Sequence, residues 1–262
     1  MRFLLTGAAR GIGRAMAERL ARDSIQRHGA PARMVLADVH GDELEQLAVQ
    51  LRSEGAEVIA LTADLADAQA PARLVQAANA FGGLDAVVSN AGFAIPSPLL
   101  SARVDDWDKV FAVHVRAAWL LGQAAHPLLK AARGCIVLTT SISGTHPTAP
   151  LAAYSPSKAA ALMLVKQMAL EWGPDGIRAN ALSPGITETP GTAPVYADPQ
   201  SRAQREARVP LRRIAQAEDM ANALSFLVGP DAGYVNGTEL LVDGGLSTGL
   251  MGSLNMGGWQ GR

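Results

Sequence analysis

Cysteine is nearly absent: only Cys135 carries a thiol among 262 residues, so no disulfide can form within the chain. Its place in the apolar run Cys135-Ile136-Val137-Leu138 marks a buried strand thiol rather than a nucleophile. A charge bias is absent as well. With 23 Lys and Arg against 24 Asp and Glu the formal charge is −1, and no basic stripe offers a footprint for nucleic acid or an anionic membrane. No stretch approaches the roughly 20 uninterrupted apolar residues of a membrane span. Repeats, low-complexity tracts and interdomain linkers are also missing. Arg2-Phe3-Leu4-Leu5 runs straight into a turn at Gly7, which leaves no room for a signal or transit peptide and makes a cytoplasmic protein the expectation.

What is present is an alternation of short apolar runs with amphipathic stretches, over a length that fits one domain, 1–262. Strands are expected at 2–6, 34–38, 57–61, 85–89, 134–140, 177–183 and 239–243. Helices are expected at 11–22, 41–53, 68–81, 103–131, 153–173 and 217–228. Strand-helix alternation needs crossover connections, so the expected fold is α/β: a doubly wound, Rossmann-like parallel sheet of about seven strands with helices on both faces. Ligands bind such sheets outside the carboxyl ends of the strands, which is where chemistry should lie. The segment 184–213, rich in Pro, Thr and charge, has no strong periodicity and reads as a substrate lid. The tail 246–262, rich in Gly and Met, is either disordered or docked on a neighbouring subunit.

The first strand ends in Thr6-Gly7-Ala8-Ala9-Arg10-Gly11-Ile12-Gly13, and a helical pattern follows. Gly7 permits a tight turn, Gly11 lets backbone approach a pyrophosphate, and Gly13 lets helix and strand pack closely. The helix N-terminus then presents N–H groups and a positive dipole end to phosphate. The second strand ends in Asp38, where an acid accepts hydrogen bonds from both ribose hydroxyls and repels a 2′-phosphate. Arg10 pulls the other way, because a cation in the turn can serve that phosphate. Asp38 outweighs it by position, with apolar Val39 following, so NAD is favoured over NADP.

Tyr154 and Lys158 are four apart in Tyr154-Ser155-Pro156-Ser157-Lys158, on one face of a helix that must begin nearby for Pro156 to be tolerated. An ammonium beside a phenol favours phenolate and would bring the tyrosine down from its reference value of about 10. Ser141 ends the strand Ile136-Val137-Leu138-Thr139-Thr140, where its hydroxyl can meet the neighbouring helix and polarise a substrate carbonyl.

The order Thr6-Gly7-x-x-x-Gly11-Ile12-Gly13, Asp38, Asp64-Leu65, Asn90-Ala91-Gly92, Ser141, Tyr154-x-x-x-Lys158, Asn180, Pro184-Gly185 and Val242-Asp243-Gly244-Gly245 resembles the short-chain dehydrogenase/reductase superfamily over essentially the whole chain. The resemblance implies hydride transfer between NAD(H) and a secondary alcohol or ketone, with Tyr154 exchanging the proton, Ser141 steadying the carbonyl oxygen and Lys158 binding ribose while tuning Tyr154. Asp64, followed by Leu65, would bond the adenine amino group. Asn90, Ala91 and Gly92 would line the adenosine side and support the central sheet. Ile186, Thr187 and Thr189, after Pro184 and Gly185, would hold the carboxamide and phosphates. Hydride passes directly from carbon to nicotinamide, so no metal is implied.

Two departures stand out. About seven extra residues around Ser24–Pro31 are expected to lengthen a surface loop away from the cofactor. His114, in Val113-His114-Val115, stands where family members usually carry the asparagine that holds a proton-relay water; it either takes over the relay, adding an acid limb to the pH-rate profile, or packs. Substrate-pocket candidates by position are Phe93, Ile95, Ser143, His146, Leu151 and Tyr196, a mostly apolar set suited to a modest alcohol or ketone. A homodimer or homotetramer is expected from Ala117-Ala118-Trp119-Leu120-Leu121 and Ala159-Ala160-Ala161-Leu162 on the long helices. The competing functions are a 3-oxoacyl-thioester reductase, disfavoured by Asp38, and a silent dinucleotide-binding sensor or scaffold, disfavoured by the complete Ser141, Tyr154 and Lys158.

Overall fold

In the computed structural model, which describes residues 1–249, the apolar runs form β1 (Arg2–Thr6), β2 (Arg33–Asp38), β3 (Glu57–Thr62), β4 (Ala86–Ser89), β5 (Cys135–Thr139), β6 (Arg178–Pro184) and β7 (Glu239–Val242). Among the described residues these seven make one sheet in the order β3-β2-β1-β4-β5-β6-β7, every pairing parallel. The chain goes from β1 outward to β3, then returns to place β4 on the other side of β1. That reversal leaves a crevice between the carboxyl ends of β1 and β4.

Alternate strand residues face opposite sides. Phe3 and Leu5 join Met34, Leu36 and Val88 beneath α1 (Gly11–His28) and α2 (Gly41–Ser53). Leu4 joins Val35, Val87 and Ile136 on the other face, beneath α3 (Ala70–Ala77) and the long helical run described next. That run is α4 (Val104–Phe111), a π-turn at Ala112–Arg116, and α5 (Ala117–Ala132), followed after β5 by α6 (Tyr154–Trp172). Within it Leu121, Leu129, Val165 and Met168 are buried against the sheet. On the first face α9 (Ala217–Val228) packs Met220 and Leu224 beside α1. Each such leucine contributes about 1.5–3 kcal/mol of burial, which is what holds the layers together.

Three expectations need correction. The insertion does not lengthen a loop: α1 continues through Ser24 to His28 and stops at left-handed Gly29, whose N–H returns to Ile25 O. Ser24 is buried, accepting from the Met1 ammonium and donating to Ala30 O, so the extra turn is anchored. The segment 184–213 is not irregular throughout: it holds α7 (Ala193–Tyr196) and α8 (Pro199–Arg208). Asp198 caps α8 by accepting from Ser201 N, with Pro199 at the first helical position. No α8 residue is buried, which removes the apolar periodicity that would have announced it. The proposed helix at 103–131 is likewise interrupted by the π-turn, centred on His114. Most of the tail, 250–262, lies outside the described residues.

Candidate active site

The glycine-rich turn leaves β1 with Gly7 and Gly11 at positive φ. A Cβ on Gly13 would lie 1.8 Å from Gly7 O, and one on Gly7 would lie 2.8 Å from Ala91 Cα, so this turn must be bare backbone. Arg10, at the N-cap of α1, supplies no side-chain cap, and the first turn of α1 carries no acid. The helix start is thus left without a side-chain acceptor, and fits a pyrophosphate. At the end of β2 the Asp38 carboxylate accepts from Ala9 N (2.9 Å) and His40 N (3.0 Å), which fastens it beside the turn. Val39 beyond it is exposed, and Arg10 pairs with Glu43 of α2. Exposed Asp64 accepts from Ala66 N (2.9 Å) in a local turn, with Leu65 buried behind it.

Asn90, after β4, donates to Thr6 O (3.2 Å) and Gly7 O (3.1 Å), while Thr6 Oγ1 accepts from the N–H groups of Asn90 and Ala91. It clamps β4 to the glycine-rich turn. Gly92 turns toward the other end of the site: a Cβ there would lie 3.0 Å from His114 Nε2 and 3.3 Å from Lys158 Nζ. Gly92 thus stands apart from Asn90 and Ala91, beside His114 and Lys158. Across the crevice, Gly185 N bonds Val242 O, Ile186 O accepts from Ala215 N, and buried Thr187 donates to Gly185 O. Pro184 is buried at the strand end. A Cβ on Gly11 would reach Thr189 Cβ at 3.1 Å, so this strap closes against the turn. Asn180 lies elsewhere, bonding Val235 O and Thr238 N to tie β6 to the approach of β7.

The end of β5 and the start of α6 converge on one corner. Ser141, fully extended, accepts from Ser143 N (3.1 Å), and its hydroxyl acts on the Tyr154 phenol to lower its pKa. Lys158 is buried, donates to Thr139 O (3.0 Å) and lies 5.5 Å from the Tyr154 ring centroid. Burial brings the Lys158 ammonium down to about 8. Burial also raises the Tyr154 phenol, with Ser141 opposing it. The lowered tyrosine expected from the lysine is thus corrected: low polarity around the ring outweighs the contribution of Ser141 and raises the phenol.

His114 is buried with both nitrogens engaged. Nε2 accepts from Phe93 N (3.1 Å), which leaves the proton on Nδ1 to donate to Ser157 Oγ (2.8 Å), and Ser157 Oγ donates to Tyr154 O (2.7 Å). The ring meets Tyr154 edge-on, with centroids 5.5 Å apart. Burial, then the Lys158 charge, push its pKa down to about 2, so the acid limb assigned to a relay histidine is corrected: this imidazole is neutral at any working pH. The Ser157 link escaped the sequence reading, although the residue stands directly before Lys158.

The substrate candidates divide. Phe93 packs edge-on to His114, and Ile95 lines a shallow groove with Trp107 and Ala153. Leu151 pairs with Ser97 beside that groove, and His146 is exposed. Ser143 is buried with its hydroxyl on Thr148 Oγ1 (2.8 Å). Tyr196 is buried in α7 beneath Arg205.

A glycine-lined dinucleotide crevice beside a Ser-Tyr-Lys corner defines a nicotinamide-dependent oxidoreductase. A family model described as Enoyl-(Acyl carrier protein) reductase matches residues 7–247. The 2,5-dichloro-2,5-cyclohexadiene-1,4-diol dehydrogenase LinX of Sphingobium indicum is 33% identical over 94% of this chain and 96% of its own. The 3beta-hydroxysteroid dehydrogenase 1 of Eggerthella lenta is 34% identical, covering 93% of this chain and 92% of that one. Among solved structures, a putative NAD(P)-dependent gluconate 5-dehydrogenase from Beutenbergia cavernae, with NADP bound at low occupancy, superposes with a TM-score of 0.86 at 33% identity, over 94% of this chain and 96% of that one. The chain belongs to the short-chain dehydrogenase/reductase superfamily. It is an oxidoreductase acting on the CH–OH group of secondary alcohols or on the matching ketones, with NAD(P) as cofactor. No helix among the described residues is long and apolar enough to cross a membrane.

Proposed function

We propose that Tyr154 is the acid/base of this reaction, that Ser141 holds the substrate oxygen against it, and that Lys158 binds the cofactor ribose. The observation that carries the reading is the convergence of Ser141, at the end of β5, with Tyr154 and Lys158 of α6, the buried Lys158 ammonium lying 5.5 Å from the Tyr154 ring centroid. The nicotinamide supplies or accepts the hydride when bound. For ketone reduction the Tyr154 hydroxyl gives its proton to the carbonyl oxygen as charge develops there, and Ser141 donates to the same oxygen. For alcohol oxidation the phenolate takes the hydroxyl proton. His114 is a positioning residue, fixing Ser157 and through it the first turn of α6.

NAD(H) is the preferred dinucleotide in this reading. The Asp38 carboxylate, held by Ala9 N and His40 N, faces the place where the 2′-phosphate of NADP would add charge. Asp64, Asn90, Ala91, Pro184 to Thr187 and Thr189 hold the rest of the cofactor, and 184–213 works as the lid of a single catalytic domain. Phe93, Ile95, Leu151 and His146 are the preferred substrate contacts, and Ser143 and Tyr196 support them from within. Such a dinucleotide enzyme works in the cytoplasm. Steady-state kinetics over an alcohol and ketone panel should give catalytic efficiency at least about tenfold higher with NAD(H) than with NADP(H), the effect of one unfavourable charge contact. Equal or better use of NADP(H) would overturn the preference; cofactor binding without any turnover would favour a silent sensor.

The same reading includes a homodimer or homotetramer. Ala117, Ala118, Leu121, Ala161 and Leu162 pack inward, so the outward surface of α5 and α6 is made by Trp119, Met163 and Leu170 instead. Those large exposed side chains suit a second copy across a two-fold axis. Light scattering that returned the mass of one chain would refute it.

A further inference from the structure

A site that takes the unphosphorylated ribose has no use for a cation at the 2′ position, yet Arg10 stands in the glycine-rich turn, where a phosphate could use it. Its guanidinium is turned toward α2. One terminal nitrogen pairs with Glu43, in the first turn of that helix, and the other lies 3.5 Å from His40 Nε2. Glu43 is held low by the Arg10 hydrogen bond. The Arg10 guanidinium is held by Glu43 and His40, whereas the Asp38 oxygens accept from Ala9 N and His40 N.

We propose that Glu43 is a cofactor-specificity residue: by pairing, from the first turn of α2, with Arg10 of the glycine-rich turn it withholds the cation that a ribose 2′-phosphate would need. The inference rests on the reading that NAD(H) is preferred, and adds to it a second device behind Asp38. Asp38 repels the phosphate directly, whereas Glu43 acts through Arg10. The pair is 46% and 36% exposed on its two sides, and exposed ion pairs are weak. A phosphate carrying close to two negative charges therefore competes for Arg10, and the gate restrains NADP(H) without excluding it. A structural role for Glu43 also exists, because an acid in the first turn of α2 complements the helix dipole. That role bears on stability and not on a distant phosphate.

Calorimetric titration with two cofactor fragments separates these roles: adenosine 2′,5′-bisphosphate, which carries the 2′-phosphate, and adenosine 5′-monophosphate, which does not. Glu43→Ala should tighten the bisphosphate about five- to tenfold, with Glu43→Gln intermediate. The monophosphate should change less than about twofold, which also shows that each variant is folded at the site. In an Arg10→Ala background the gain from Glu43→Ala should vanish. No tightening in Glu43→Ala, or a melting-temperature change alone, would overturn the proposal. So would an equal gain with and without Arg10, which would mean direct repulsion by Glu43. A wild-type enzyme that favoured NADP(H) in kinetics would defeat the NAD(H) reading separately, while the Arg10 dependence of the gain would still decide the role of Glu43.

Discussion

The two ends of the crevice solve their problems with different materials. Around β1 and β2 the work falls to backbone and to exposed charge: glycines without side chains, a helix start without a cap, Asp38 held by two amides, and the Arg10–Glu43 pair in water. Around β5 and α6 it falls to buried polar side chains, where Lys158, His114 and Ser141 are almost wholly enclosed. Solvent screens the first set and leaves it open to exchange of partners. Enclosure shifts the titratable groups of the second set: Tyr154 up, Lys158 down to about 8, His114 down to about 2. In the function proposed above, recognition of a charged, removable cofactor falls to the wet end and proton exchange to the dry one.

If the dry end carries the chemistry, Tyr154→Phe should lower kcat by about 10²–10⁴ while NADH still binds, as read by fluorescence titration. Activity within a few-fold of wild type would break the comparison at its strongest point. The wild-type profile should follow the same logic. Because burial raises the phenol, alcohol oxidation, which needs phenolate, should speed up as pH rises into the alkaline range, whereas ketone reduction, which needs the phenol, should not.

At the wet end the largest effect should come from Gly13→Ala. The added Cβ would sit 1.8 Å from Gly7 O, so the turn must move. A displacement of this size should weaken NADH binding on the order of 100-fold. An unchanged dissociation constant would show that the turn is not the pyrophosphate site.

His114 sharpens the contrast with a smaller effect. His114→Ala deprives Phe93 N–H and Ser157 Oγ of their partner, at a cost of about 2–4 kcal/mol, or roughly 5–15 °C in melting temperature. The sign of its pH dependence follows from linkage. Its folded value, about 2, lies below the unfolded value of about 6.5, so below pH 6.5 the unfolded chain binds a proton that the native imidazole refuses. Wild-type stability is therefore lost as pH falls from about 6.5 toward 2, and His114→Asn should flatten that decline. An unchanged slope would show that His114 is not held neutral.

The sequence by itself determined a great deal here. Each strand was legible to within a residue at either end, and the inner ones most plainly, because a parallel strand buried on both faces is a continuous apolar run such as Met34-Val35-Leu36. The placement of the glycine-rich turn, of Asp38 at a strand end and of Tyr154 and Lys158 on one helix was legible because it depends on local spacing along one turn or one helix. What only the tertiary structure decided involves partners distant in the chain. Arg10 meets Glu43 across two elements, and His114 reaches Phe93 on one side and Ser157, 43 residues on, on the other. Helix α8 was hidden because it buries nothing. The direction of the Tyr154 shift also lay beyond the sequence: spacing places a cation near a phenol, but desolvation depends on everything packed around both, and here burial raises the phenol.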